Sequence, residues 1–170
     1  MGKSLVPAPG SAITVIAALL YTTAGVSIPI QADPDVMRGS AVAVDGHILS
    51  MNGRQLMLAN IIVPEPGAKC RLRGKLRDCG SFARLGLTEL VVAATIECRK
   101  LTRRTYNCTT EDGYDLALGQ IHAGWAVPTK AAPDHYVTKM NEARAKKRML
   151  WSASNADGKP GYASALLGKR

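Results

Sequence analysis

Five cations stand within nine residues at Lys69, Arg71, Arg73, Lys75 and Arg77. Lysines and arginines so closely spaced can hold the phosphates or carboxylates of an anionic polymer by charge. The competing reading is a solvated charged loop. His47 follows Asp45 by two residues. An imidazole with a neighbouring carboxylate suits a softer metal such as zinc. A plain turn needs no ligand, because an aspartate can close it through its own side-chain oxygen.

The elements that must position these residues begin after a distinctive start. From Ser4 to Ala32 there is no charged residue, Lys3 supplies a positive lead, and Ala12 to Val26 is largely apolar. This pattern predicts a secretory signal peptide over 1–32, cut before Asp33, with no stable membrane span left after cleavage. A secreted or periplasmic bacterial location follows as an expectation. The remaining chain carries 21 basic and 13 acidic side chains, a net charge of +8. A small basic exported domain suits polyanions: nucleic acid, anionic polysaccharide or a membrane surface, the bland alternative being solubility alone. Aromatics make up only 5% of the chain, so stacking platforms are few.

The four cysteines, Cys70, Cys79, Cys98 and Cys108, are an even set in an expected exported domain, which predicts two disulfides with three possible pairings. The local pairs Cys70–Cys79 and Cys98–Cys108 are favoured. Each contributes about 3 kcal/mol in the loop-entropy picture. Separations of nine and ten residues lack the tight thiolate clamp of a four-cysteine zinc site.

Residues 33–38 read as a lead. Ser40–Ser50 and Gln55–Val63 read as strands about the Asn52-Gly53 hairpin turn. Pro64–Gly74 reads as a loop, and Ser81–Ala93 as a helix from the spacing of Phe82, Leu85, Leu87, Leu90 and Val91. Thr95–Lys100 and Thr105–Thr110 read as a second hairpin. Asp115–Ala123 is a short helix ending at Gly124, and Asp134–Trp151 a longer one entered after Pro133. Arg144, Lys146, Lys147 and Arg148 read as the solvated face of that helix, and Trp125 and Trp151 as core. Residues 154–170 read as a flexible tail. Short strands, a helix, more strands and two further helices predict an α+β fold: a small five-stranded OB-type barrel over 39–153 with about three α-helices.

Val44-Asp45-Gly46, then Pro64-Glu65, then Gly124-Trp125-Ala126, then Leu150-Trp151 occur in an order that resembles the staphylococcal-nuclease (thermonuclease) family. The cysteine pattern is similar to that of its exported bacterial members. The resemblance implies cleavage of DNA and RNA phosphodiesters. Two aspartates would hold Ca2+, a glutamate would handle the attacking water, and two arginines would stabilise phosphate charge. By the same correspondence the two calcium positions are His47 and Ile62, and the first arginine position is Met57. Glu65 keeps the glutamate, and Arg103 or Arg104 stands nearest the second arginine. An aliphatic side chain cannot ligate a metal and imidazole is a poor partner for Ca2+. The calcium site therefore reads as lost, and no cofactor is expected.

Three readings follow. The first is a nuclease-like module that has lost calcium-dependent cleavage and binds an anionic polymer or a protein partner. Exported relatives that accompany exopolysaccharide (succinoglycan-type) biosynthesis give it a context. The second is a phosphodiesterase with a rearranged site, using Glu65, Arg103 or Arg104, and a metal at His47 and Asp45. The third is a purely structural, disulfide-stapled domain.

Overall fold

The computed structural model describes Gly2 and residues 33–168. Contacts divide the chain into residues 1–31 and 32–170, and only the second unit is considered below. The expected signal peptide lies, Gly2 apart, outside the described residues.

In chain order the elements are β1 (Val36–Gly39), β2 (Val42–Ala43), β3 (Ile48–Met51), β4 (Arg54–Leu58), β5 (Ile61–Ile62), β6 (Lys69–Leu72), β7 (Lys75–Asp78), α1 (Cys79–Val91), β8 (Ile96–Lys100), β9 (Thr105–Thr110), α2 (Leu116–Ala123), β10 (Val127–Pro128), α3 (Asp134–Ala145), a 3-10 turn (Met149–Trp151), β11 (Ser154–Asn155) and α4 (Tyr162–Leu167). The fold is α+β. Its main sheet has the order β1-β8-β9-β4-β3-β2. Neighbours are antiparallel except β4 and β9, which run parallel with Met57 beside Thr105. The ladder is open. Its two outer strands, β1 and β2, are consecutive in the chain, with only Ser40 and Ala41 between them. Two smaller sheets, β10-β5 and β11-β6-β7, flank it.

Local chemistry explains the boundaries. Asn52 and Gly53 both have positive φ, as a two-residue hairpin turn requires. Asp78 caps α1 by accepting from the Ser81 N–H at 2.9 Å. Asp115 caps α2 in the same way at the Leu118 N–H. Gly124 ends α2 in the left-handed region at φ 86°. There the Gly124 and Trp125 N–H groups close back on Ile121 and Gln120, a Schellman stop. Leu49, Leu56, Leu87, Ile96, Leu116, Ile121 and Leu150 form a core with almost no exposure. The disulfides are Cys70–Cys79 and Cys98–Cys108, and among the described residues no cysteine is free. The second sits on directly opposed positions of β8 and β9.

Several expectations change. Pro64–Gly74 is not simply a loop, because it contains β6 and leads into a hairpin. Its turn, Arg73-Gly74, places both residues at positive φ (50° and 77°), with arginine where asparagine or aspartate is the usual sign. The expected helix to Trp151 stops at Ala145. Lys147 takes φ 49°, and the Arg148 and Lys147 N–H groups bond Ala143 and Arg144. That is a second Schellman stop, with lysine in the glycine position. The expected tail is structured up to Gly168: Ser154–Asn155 pair with β6, and α4 buries Ala163 and Leu166. The described residues contain eleven short strands and four helices rather than five strands and about three helices, because turns and brief pairings break the long strands read from the sequence.

Candidate polyanion groove

The β6–β7 hairpin sorts its cations by register. Lys69 pairs with Asp78, Cys70 with Arg77, Arg71 with Leu76 and Leu72 with Lys75. Side chains directly across an antiparallel ladder share a face, and alternate residues share it too. Leu72, Lys75 and Arg77 therefore lie on one face with Cys70, while Lys69 and Arg71 lie on the other. Each of the latter has a local partner. Lys69 Nζ is 3.4 Å from Asp78 Oδ2. Arg71 donates through Nε to the Ala156 carbonyl at 3.1 Å and through Nη1 to the Gly74 carbonyl at 3.4 Å.

The first face opens on a groove. One stretch, about 650 Å³, is lined by Leu72, Arg73, Phe82, Trp125, Lys147, Arg148, Met149 and Ser152. An adjoining stretch of about 500 Å³ shares Leu72, Arg73 and Phe82 and adds Lys75 and Arg77. No acidic side chain lines either stretch. The floor is built by two helix ends. Capping of α1 at Asp78 starts the helix so that Phe82 falls in its first turns. The α2 stop at Gly124 brings Trp125 back against it. Their rings stack at 5.9 Å with planes 7° apart. The second Schellman stop turns Lys147 and Met149 out of α3 into the groove wall. Arg148 Nη1 donates to the His122 carbonyl at 2.7 Å, closing the C-terminal end of α2. Burial and then the charges of Arg148 and Lys139 hold the His122 imidazole below its usual pKa.

Sequence reasoning missed Phe82, Trp125 and Lys147 as groove residues. Helical spacing put Phe82 on the apolar face of its helix, and Trp125 read as core, which its burial bears out, while both also line the groove. The run Lys146-Lys147-Arg148 carries no glycine to betray the stop that redirects it.

Of the positions singled out by the thermonuclease resemblance, Met57 lies together with Arg103 and Arg104. Arg103 and Arg104 line a separate pocket of about 330 Å³ with Ile48, Gln55 and Met57. Glu65 is exposed in the bend between β5 and β6, where its carbonyl oxygen accepts from Ala68 N–H. The backbone of Gly80 at the start of α1 lies so close that a β-carbon there would strike that oxygen. Burial, then the charges of Glu65 and Asp78, raise the Tyr162 phenol above its usual pKa.

Asp45 acts as a turn residue. Its Oδ1 accepts the His47 and Ile48 N–H groups, both at 2.7 Å, and His47 Nδ1 lies 3.0 Å from the same oxygen. Burial works against the carboxylate. The His47 side chain and N–H, with the Ile48 N–H, outweigh it, so the Asp45 pKa lies below its usual value. The buried Gln120 ties this turn to α1, donating to the Gly46 and Ala83 carbonyls at 2.6 and 2.9 Å. Ile62 is spent on pairing with Val127. His47, Ile62 and Met57 offer one imidazole and no carboxylate of their own, a set that does not fit a hard cation. Among the described residues no group of three or more His, Cys, Asp or Glu side chains is placed to hold a metal ion.

No protein-family model and no curated protein matches this chain.

Proposed function

We propose that residues 33–168 form an exported, disulfide-stapled binding module for an anionic polymer, nucleic acid or acidic polysaccharide, with no calcium-dependent nuclease activity. The observation that carries this reading is the cationic groove. Arg73, Lys75, Arg77 and Lys147 line it with an aromatic floor and no carboxylate. Such a surface attracts a polyanion by charge and releases counterions on binding. The aromatic and aliphatic floor gives bases or sugar rings a surface to cover.

An OB-type barrel is the architecture we infer beneath it. β1 and β2 run on from one another yet sit at the two outer edges of the six-strand order. One bent strand serving both edges would wrap that sheet into the barrel expected of a thermonuclease-like chain. The residues that stand at the family's calcium and first arginine positions, His47, Ile62 and Met57, support a retired rather than a working nuclease site. An exopolysaccharide context of the succinoglycan type belongs to the same proposal.

The test is retention and turnover together. The purified chain from Asp33 should bind a single-stranded oligonucleotide or heparin at low salt. It should leave oligonucleotides uncut with Ca2+, Zn2+, Mn2+ or EDTA. Metal-dependent cutting that disappears in Glu65→Gln would contradict the proposal and establish the phosphodiesterase reading.

A further inference from the structure

The hairpin that lines the groove also presents an unpaired sheet edge. Among the described residues β7 pairs only with β6, on one side. The two-residue turn at Arg73-Gly74 makes Leu72 and Lys75 a hydrogen-bonded pair, so the next pair, Arg71 and Leu76, is a non-hydrogen-bonded one. The N–H and C=O of Leu76 therefore point away from β6, toward solvent. Leu76 is 52% exposed, an uncommon state for a leucine in a strand. On either side of it Lys75 and Arg77 project from the opposite face, both exposed.

We propose that β7 is a docking edge for an extended acidic–apolar segment of another protein, added as a fourth strand beside it. The occupant's chemistry follows from the edge. Residues opposite Lys75 and Arg77 face cations and call for carboxylates, and the residue opposite Leu76 faces an aliphatic side chain and calls for one in return. A glutamate–valine–glutamate alternation satisfies both faces while its backbone bonds the free groups of Leu76. A second copy of this chain is disfavoured, because two β7 strands side by side would set Lys75 and Arg77 against the same cations. This goes beyond the polymer reading. It uses Lys75 and Arg77, but it also needs the backbone edge and Leu76, which a polyanion held by charge alone does not.

The probe is an end-blocked peptide, Glu-Val-Glu-Val-Glu, offered to the whole domain from Asp33. Two further versions carry backbone N-methyl groups on alternate residues, one set in each phase. Strand addition predicts that one methylated version binds like the parent. The other, whose blocked groups face β7, should bind at least about tenfold more weakly. Saturation with the parent should slow hydrogen exchange at the Leu76 amide about tenfold or more. Leu76→Thr, which keeps a strand-compatible side chain, should weaken the peptide and leave heparin retention unchanged. Equal binding of both methylated versions, or an unmoved Leu76 amide, would overturn the proposal. So would an oligonucleotide that protects that amide as the peptide does. Loss of heparin binding with the peptide effects intact would sink the polymer reading alone.

Discussion

Asp45 shows how one side chain can fix a turn that a ligand site would otherwise be invoked to explain. Both neighbouring N–H groups converge on one of its oxygens. Asp45→Ala leaves two part-buried donors unmet and should cost about 1–2 kcal/mol of stability, read by thermal or urea unfolding. Asp45→Asn keeps an acceptor and should cost less. The pH dependence has a definite sign. The folded pKa lies below the unfolded value, so the unfolded chain takes up the proton first as pH falls. The stabilisation is complete above the ordinary aspartate range, near pH 4, and is lost as pH falls through the folded value. Asp45→Asn should flatten that part of the acid limb, and an unchanged limb would remove Asp45 from the account of the turn. Gly124 is constrained twice. It holds φ 86°, and a β-carbon would sit 2.7 Å from the Arg148 carbonyl oxygen. Gly124→Ala should therefore cost about 2 kcal/mol or more.

Caps and stops decide what the groove contains. The Gly124 stop was legible in the sequence as a glycine after a helical run, whereas the Asp78 and Asp115 caps were not: the first helix was read from Ser81 and Asp115 was counted inside the second. The stop after Ala145 was not legible either, because lysine occupies the left-handed position that glycine usually fills. That substitution has a testable cost. Lys147→Gly should relieve about 1 kcal/mol of left-handed strain, partly offset by the greater freedom of glycine in the unfolded chain. A net gain of about 0.5 kcal/mol in unfolding free energy is expected, together with weaker polymer retention from the lost cation. Lower stability would mean that the Lys147 side chain makes contacts outweighing the strain. The hairpin was similarly hidden. Two prolines and a charged run argued for a loop, and Arg73-Gly74 is a weak written sign of a turn that the backbone nevertheless makes. The cysteine pairing was readable because an even cysteine count and short local separations agreed. The pattern of five cations was readable, but their division into a groove face and a locally partnered face required the β6–β7 register.

The whole domain joins a main sheet that brings Met57 next to Arg103 and Arg104 with a cationic groove formed around a separate hairpin. The α+β class followed from the alternation of short strands and helices. The open order with its consecutive outer strands did not, since closure depends on long-range pairing that no local pattern encodes. The tail was misread for a related reason. Its small and polar residues promised no core contribution, yet α4 buries Ala163 and Leu166 and brings Tyr162 within electrostatic reach of Glu65. The central proposal is that a polyanion binds in the groove rather than in the Arg103–Arg104 pocket. The most direct measurement is the salt dependence of affinity for a single-stranded oligonucleotide. It compares the parent domain, the variant Arg73→Ala/Lys75→Ala/Arg77→Ala, and the variant Arg103→Ala/Arg104→Ala. Each cation that contacts a phosphate contributes about 0.7 to the slope of log affinity against log salt on single strands. The groove variant should lose about 2 from that slope and most of its low-salt affinity, with the second variant close to parent. A slope lost in the Arg103–Arg104 variant and kept in the groove variant would contradict this placement.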